Sequence, residues 1–285
     1  MKTKVVIDSA GDTRFLDGID LFSVPLKIIA GDTEFTDDIH LDVDEMIDFL
    51  KKYKGKVSSS CPGVGDFSEA FKDAENIFVI TITSGLSGSY NSACVAAEAY
   101  KEKYPHRNIY VVDSLSAGPE MLLLAEKICD LACNGLDFDD IVEQVEQYKT
   151  KTGLLFSLES LHNFANNGRV SPAVAKLVGL LGINLIGKAS DEGTLEPISK
   201  VRGDKKVIPT LINNLTTMGY FGGKVRIAHC HNPKCANSLK SEILKLFPAA
   251  DIKIYSTRGL CSFYAEEGGF LVGFETERSL HQERI

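Results

Sequence analysis

Hydroxyl-bearing residues cluster where apolar segments end. Val5-Val6-Ile7 runs into Asp8-Ser9, Ile77–Ile82 into Thr83-Ser84-Gly85-Leu86-Ser87-Gly88-Ser89, and Ile109–Val112 into Asp113-Ser114-Leu115-Ser116. A fourth group, Ser58-Ser59-Ser60-Cys61-Pro62-Gly63, precedes a helical stretch starting at Phe67. A Ser/Gly turn feeding a helix offers unpaired backbone N–H groups and hydroxyl donors, which is chemistry for an anion. The same residue types also cap helices and make turns with no ligand at all. No lysine follows Gly85 or Gly88 at the spacing of a nucleoside-triphosphate loop, and G-x-G-x-x-G is missing from the first strand–helix turn. Neutral donors without lysine suit a single carboxylate.

Two other chemistries need weighing. Ser87 lies on a strand-to-helix turn, but Gly85–Ser89 reads G-x-S-G-x rather than the G-x-S-x-G elbow, and no histidine stands at a spacing that fixes it near Ser87. A serine-dependent hydrolase or transferase using Ser87 is therefore the alternative, not the leading reading. His229 and His231 fall on one face if the strand continues, where Cys235 could join them on a metal. A fourth ligand is not apparent, so ordinary strand-end roles are preferred and no metal is assigned. The seven cysteines are odd in number and scattered, which fits reduced thiols better than a disulfide framework.

The elements that must position these residues alternate. The three N-terminal apolar runs are β-branched and lack two-residue alternation, as in strands covered on both faces. Helices are predicted at Asp42–Tyr53 with the capping pattern Asp42-x-x-Glu45, then at Phe67–Ala74, Tyr90–Tyr104, Met121–Cys133 and roughly 139–149. Beyond residue 150 come an apolar segment at Gly153–Phe156, a helix at Pro172–Leu181, strand-like Ile183–Gly187 and Glu196–Val201 about a turn at Gly193, and a helix at Lys205–Met218. Strand Val225–His229, helix Cys235–Leu246, strand Ile252–Ser256 and a last apolar run Phe270–Phe274 complete the chain. The fold class is α/β in two domains, 1–150 and 151–285, the first a mostly parallel sheet in three layers, closely packed with no linker between them.

Composition bounds the rest. The 285 residues carry 31 Lys plus Arg against 39 Asp plus Glu, a net charge of −8, which argues against broad attraction to nucleic acid or anionic lipid. No apolar stretch approaches the roughly 20 residues of a membrane span, and Asp8 interrupts any signal-peptide core, so a cytoplasmic location is expected.

In order along the chain, V-V-I-D-S at 5–9, S-S-C-P-G-V-G-D-F at 59–67, S-G-L-S-G-S-Y-N-S-A at 84–93, N-G-R-V-S at 167–171 and G-T-L-E-P-I-S-K-V-R at 193–202 resemble the DegV family of bacterial fatty-acid-binding proteins. The resemblance implies a non-enzymatic carrier that holds one long-chain fatty acid, of the palmitate or oleate kind, between two α/β domains. It implies no other cofactor, an acyl chain lodged in the second domain, and presentation of the carboxylate to a separate fatty acid kinase that makes acyl phosphate for phospholipid synthesis. Carried over by position, Ser59, Ser87 and Gly88 would hold the carboxylate, with Arg169, Arg202 and Tyr264 as head-group or partner contacts. Helix 173–183 and strand Ile183–Ile186 supply candidate acyl-lining residues. Two segments depart from the family pattern: S-F-Y-A-E-E-G-G-F-L places Tyr264 at the family's histidine position beside Glu266 and Glu267, and D-S-L-S-A-G-P-E-M at 113–121 carries Glu120. Both departures are expected to lie where head group or partner is met.

Overall fold

The structure is a computed structural model and describes residues 2–175 and 183–280. The first part runs β1 (Thr3–Asp8), β2 (Asp20–Val24), β3 (Lys27–Ala30), β4 (Thr33–Thr36), α1 (Val43–Lys52), β5 (Val57–Ser60), α2 (Val64–Ala70), β6 (Asn76–Thr81), α3 (Ser89–Lys103), β7 (Asn108–Asp113), α4 (Pro119–Cys133) and α5 (Phe138–Lys149). Strands β2-β1-β6-β7 form an all-parallel sheet. Its unbroken apolar runs are explained by cover on both faces. Phe67, Phe71, Ala93 and Tyr100 of α2 and α3 pack on one side, and Met121, Leu124, Ile128, Ile141 and Val145 of α4 and α5 on the other. Because the strands are parallel, Asp8, the turn after Thr81, and Asp113 emerge together at one edge of the sheet.

A small antiparallel sheet, β4-β3-β5, was not anticipated. Its strands are four residues long and mixed in polarity, too short for alternation to stand out. It matters because Ser59 lies in β5, opposite Ile28, and not in a loop before a helix.

The second part runs β8 (Thr152–Leu158), α6 (His162–Asn166), α7 (Pro172–Ala175), β9 (Ile183–Ala189), β10 (Leu195–Arg202), α8 (Asp204–Thr217), β11 (Lys224–His229), α9 (Pro233–Leu246), β12 (Asp251–Ser256), α10 (Gly259–Ala265) and β13 (Phe270–Glu275). Its six strands lie in the order β10-β9-β8-β13-β11-β12, with only β11 and β12 parallel. Val207, Leu211, Leu239 and Ile243 of α8 and α9 cover one face. The other face meets α4, which packs against both large sheets. Gly273 permits this approach, since a Cβ there would sit 2.6 Å from the Pro119 carbonyl carbon. The two sheets thus share a layer of helix. Of the predicted helix 172–181, the first four residues form α7, and 176–182 lie outside the described residues. Among the described residues no helix is long and apolar enough to cross a membrane.

Candidate functional site

Between the sheets lies an apolar cavity. Ile82, Leu86 and Ala117 wall it from the parallel-sheet edge, Leu154, Phe156, Leu158, Ala189 and Leu271 from the second sheet, and Phe164, Leu260, Tyr264 and Ala265 from α6 and α10. At one end it continues into a polar cleft, and the two share Ile82, Leu86, Phe164, Leu260 and Tyr264. Leu26, Ser59, Ser60, Cys61, Ser87, Gly88 and Arg169 complete the cleft.

The cleft is assembled from the parallel-sheet edge. Asp8, buried at the end of β1, accepts hydrogen bonds from Ser89 Oγ (2.6 Å), Ile82 N (2.9 Å) and Ala10 N (3.2 Å), tying the ends of β1 and β6 to the start of α3. Burial pushes the Asp8 carboxyl up to about 7, against the opposing pull of those donors. Ser87 Oγ accepts from Ser89 N (3.2 Å), which leaves its own proton for another acceptor. Gly88 precedes the first turn of the 15-residue α3, whose leading N–H groups have no intrahelical partner. A Cβ on Gly88 would lie 3.2 Å from Cys61 Sγ, so glycine keeps this corner open.

Across the cleft, Ser59 Oγ and the Tyr264 hydroxyl are 2.7 Å apart. Tyr264 is held by Phe164 and Phe263, with ring centroids at 4.7 and 4.8 Å. Burial raises its pKa, partly countered by the Ser59 hydrogen bond and the Arg169 charge. Arg169 follows α6 through Gly168, whose φ of +69° closes the turn. Its Nε donates to Leu86 O (3.3 Å) and its Nη1 to Asn167 O. The guanidinium is thereby fixed on backbone carbonyls while still lining the cleft.

The structure therefore brings Ser59, Ser87, Gly88, Arg169 and Tyr264 to one place and leaves Arg202 out. Arg202 is the exposed last residue of the eight-residue β10, roughly 23 Å along the strand from the cavity-lining Leu195. It lines neither the cavity nor the cleft. Glu120 also departs from expectation: it is fully buried, and Oε1 accepts from Thr152 Oγ1 (2.8 Å), tying α4 to β8. Glu266 and Glu267 face away from the cleft, Glu266 accepting from Ser160 Oγ and Glu267 pairing with Lys51. The cavity draws walls from both halves of the chain rather than lying inside the second, and Ile186 points to the α8–α9 side. Phe164, Leu86 and Leu26 were not foreseen; only their apolar character marked them.

Among the described residues no histidine lines the cleft, so none of them offers Ser87 an imidazole base there. Strand β11 ends at His229, and His231 takes a φ of +51°, which breaks the alternation that would align the two rings. Among the described residues no group of three or more metal-ligating side chains occurs.

The DegV family, described as uncharacterised proteins, matches residues 2–277. This chain belongs to the DegV family. A DegV domain-containing protein of Streptococcus pneumoniae is 45% identical over 281 residues, 97% of this chain and 100% of the relative. The solved Fatty Acid Kinase (Fak) B3 protein of S. pneumoniae, loaded with linoleic acid, superposes with a TM-score of 0.96 at 45% identity, covering 97% of this chain and 100% of that one. A DegV family protein from Eubacterium eligens loaded with heptadecanoic acid gives 0.95 at 44% identity, over 96% and 100%. A Ruminococcus gnavus DegV protein refined with vaccenic acid gives 0.87 at 31%, over 96% and 99%.

Proposed function

We propose that this protein holds one long-chain fatty acid, with its chain in the apolar cavity and its carboxylate in the cleft, and presents that carboxylate to a fatty acid kinase. The observation that carries the reading is the joined pair of spaces: an apolar cavity opening at one end onto three serines, a tyrosine hydroxyl and an arginine. That is the polarity profile of a fatty acid and of few other metabolites. Relatives solved with linoleic, heptadecanoic and vaccenic acids support it.

Magnitudes divide the labour. Burying about 14 methylenes at roughly 0.8 kcal/mol each is worth on the order of 11 kcal/mol before ordering costs, whereas each hydrogen bond to the charged head contributes about 1.5 to 3 kcal/mol. The chain supplies affinity and the cleft supplies orientation. The Ser87 hydroxyl, the one hydroxyl proton that the Ser59–Tyr264 pair does not share internally and the N–H groups behind Gly88 donate to the carboxylate, and Arg169 balances its charge. The protein performs no chemistry on the acid; the kinase transfers phosphate to the exposed carboxylate oxygen in the cytoplasm. The halves 1–150 and 151–285 act as the two lobes, and Arg202 is left as a partner contact. Lipid extraction and native mass spectrometry of the purified protein test the proposal. Recovery of no fatty acid, with no uptake of added palmitate or oleate, would sink it.

A further inference from the structure

The cavity has a deep end and a reason for its depth. Leu154, Phe156 and Leu271 line it but not the cleft, so they lie away from the head-group end. Leu154 pairs with Gly273, where the close approach of Pro119 shuts the floor. Phe156 of β8 stands directly opposite Gly187 of β9. Residues 185, 187 and 189 share one face of β9, and Leu185 and Ala189 join Phe156 in one apolar cluster. A Cβ at Gly187 would lie 2.5 Å from Phe156 Cε2, closer still to its Cζ, and 2.7 Å from the Glu196 carbonyl oxygen. The Phe156 ring thus rests in the space a side chain at 187 would fill. With backbone on the sheet side, a ring displaced from that seat moves toward the cavity it already lines.

We propose that Gly187 is a specificity-determining residue: by seating the Phe156 ring against the sheet it sets the longest acyl chain the cavity accepts. Gly187 does not itself line the cavity, so it acts through Phe156. The inference rests on the fatty-acid reading above. Each methylene excluded from the cavity costs about fourfold in affinity, the equivalent of roughly 0.8 kcal/mol.

The test is competition among saturated acids from lauric to arachidic, read by native mass spectrometry on the full chain. Gly187→Ala moves the preferred length downward, with about fourfold loss for each methylene beyond the new limit. Phe156→Leu moves it upward, and the double variant returns toward wild type. Should Gly187→Ala fail to fold, Phe156→Leu decides alone. An unchanged length profile in Phe156→Leu, or in folded Gly187→Ala, overturns the role of the Gly187 seat while leaving fatty-acid binding intact. A wild type that takes up none of the acids overturns the binding proposal and this inference with it.

Discussion

At the scale of single residues, the cleft is a set of donors converging on a place where a carboxylate fits. Ser59→Ala and Ser87→Ala should each weaken fatty-acid binding by about 1.5 to 3 kcal/mol, because each removes one donor to a charged acceptor. The double variant should lose less than the sum, since a head group that has lost one donor shifts and rehydrates. Tyr264→Phe removes only the hydroxyl that meets Ser59 at 2.7 Å, and the same loss is expected. Isothermal titration with palmitate measures all four proteins; wild-type affinity in every one would put the carboxylate elsewhere. The serines and Arg169 were legible in the sequence because their motifs repeat a family pattern in order. Glu120 was misplaced for a physical reason. A carboxylate near a serine-rich segment looks solvent-facing, but its position on the first turn of α4 points it at Thr152 between the sheets.

At the scale of elements, α10 shows how one half completes the other. Its seven residues include Leu260, Cys261, Tyr264 and Ala265 of the cavity, yet its own N-cap residue, Arg258, makes no capping hydrogen bond. Asp37 does so from the far side, accepting from Gly259 N (3.0 Å) and Leu260 N (2.9 Å). A Cβ on Gly259 would reach 2.8 Å from the Asp37 carboxyl carbon, so the close approach requires glycine. Asp37→Ala strands two buried N–H groups at about 1 to 3 kcal/mol each, and should lower both the melting temperature and fatty-acid affinity. A normal melt with normal affinity would remove α10 from this account. Nothing in the sequence marks a cap supplied across more than 200 residues. The long helices and parallel strands were legible because burial imposes a period on them; α6, α10 and the β4-β3-β5 sheet, each of only a few residues, carry too little period to read.

At the scale of the molecule, two buried features couple the halves, and they respond to different perturbations. The first is acidic. Burial raises Asp8 to about 7 and Asp12 to about 8 from 3.8, and Asp12 accepts from Arg258 N (2.6 Å) across the junction. Folded, these carboxyls keep protons that the unfolded chain releases near 3.8, so the folded state binds more protons across that interval. Stability should therefore fall as pH rises from about 4 to 8. Groups with a lowered folded pKa have the opposite sign: Asp251 acts below that window, whereas Glu267 at its lower edge and His229, pushed down from 6.5 by burial, oppose part of the fall within it. Urea midpoints at several pH values should decline more steeply in wild type than in Asp12→Asn, and parallel curves would contradict the assignment.

The second feature is an ion network that Asp12→Asn leaves alone. Arg226 of β11 is buried and forks onto Glu126 of α4, with Nε 3.0 Å from both carboxylate oxygens and Nη2 2.7 Å from Oε2, while Asp251 accepts from Nη2 at 2.8 Å. Lys253 reaches Glu126 Oε1 at 2.9 Å. Helix α4 is the layer both sheets share, so this network fastens the parallel sheet's helix to the second sheet. Removing Glu126 leaves the buried Arg226 with Asp251 as its remaining carboxylate partner, a loss that should approach the about 3 to 5 kcal/mol of a broken buried pair, far above the roughly 0 to 1 kcal/mol of an exposed pair such as Lys51–Glu267. Glu126→Gln should thus lower the urea midpoint sharply, whereas Glu267→Gln should barely move it. Because Glu126 lines neither the cavity nor the cleft, the surviving folded fraction of Glu126→Gln should bind palmitate with near-normal affinity and regain stability as the acid is added. A stability loss that saturating palmitate does not offset would mean that the network shapes the cavity itself rather than holding the two halves together around it.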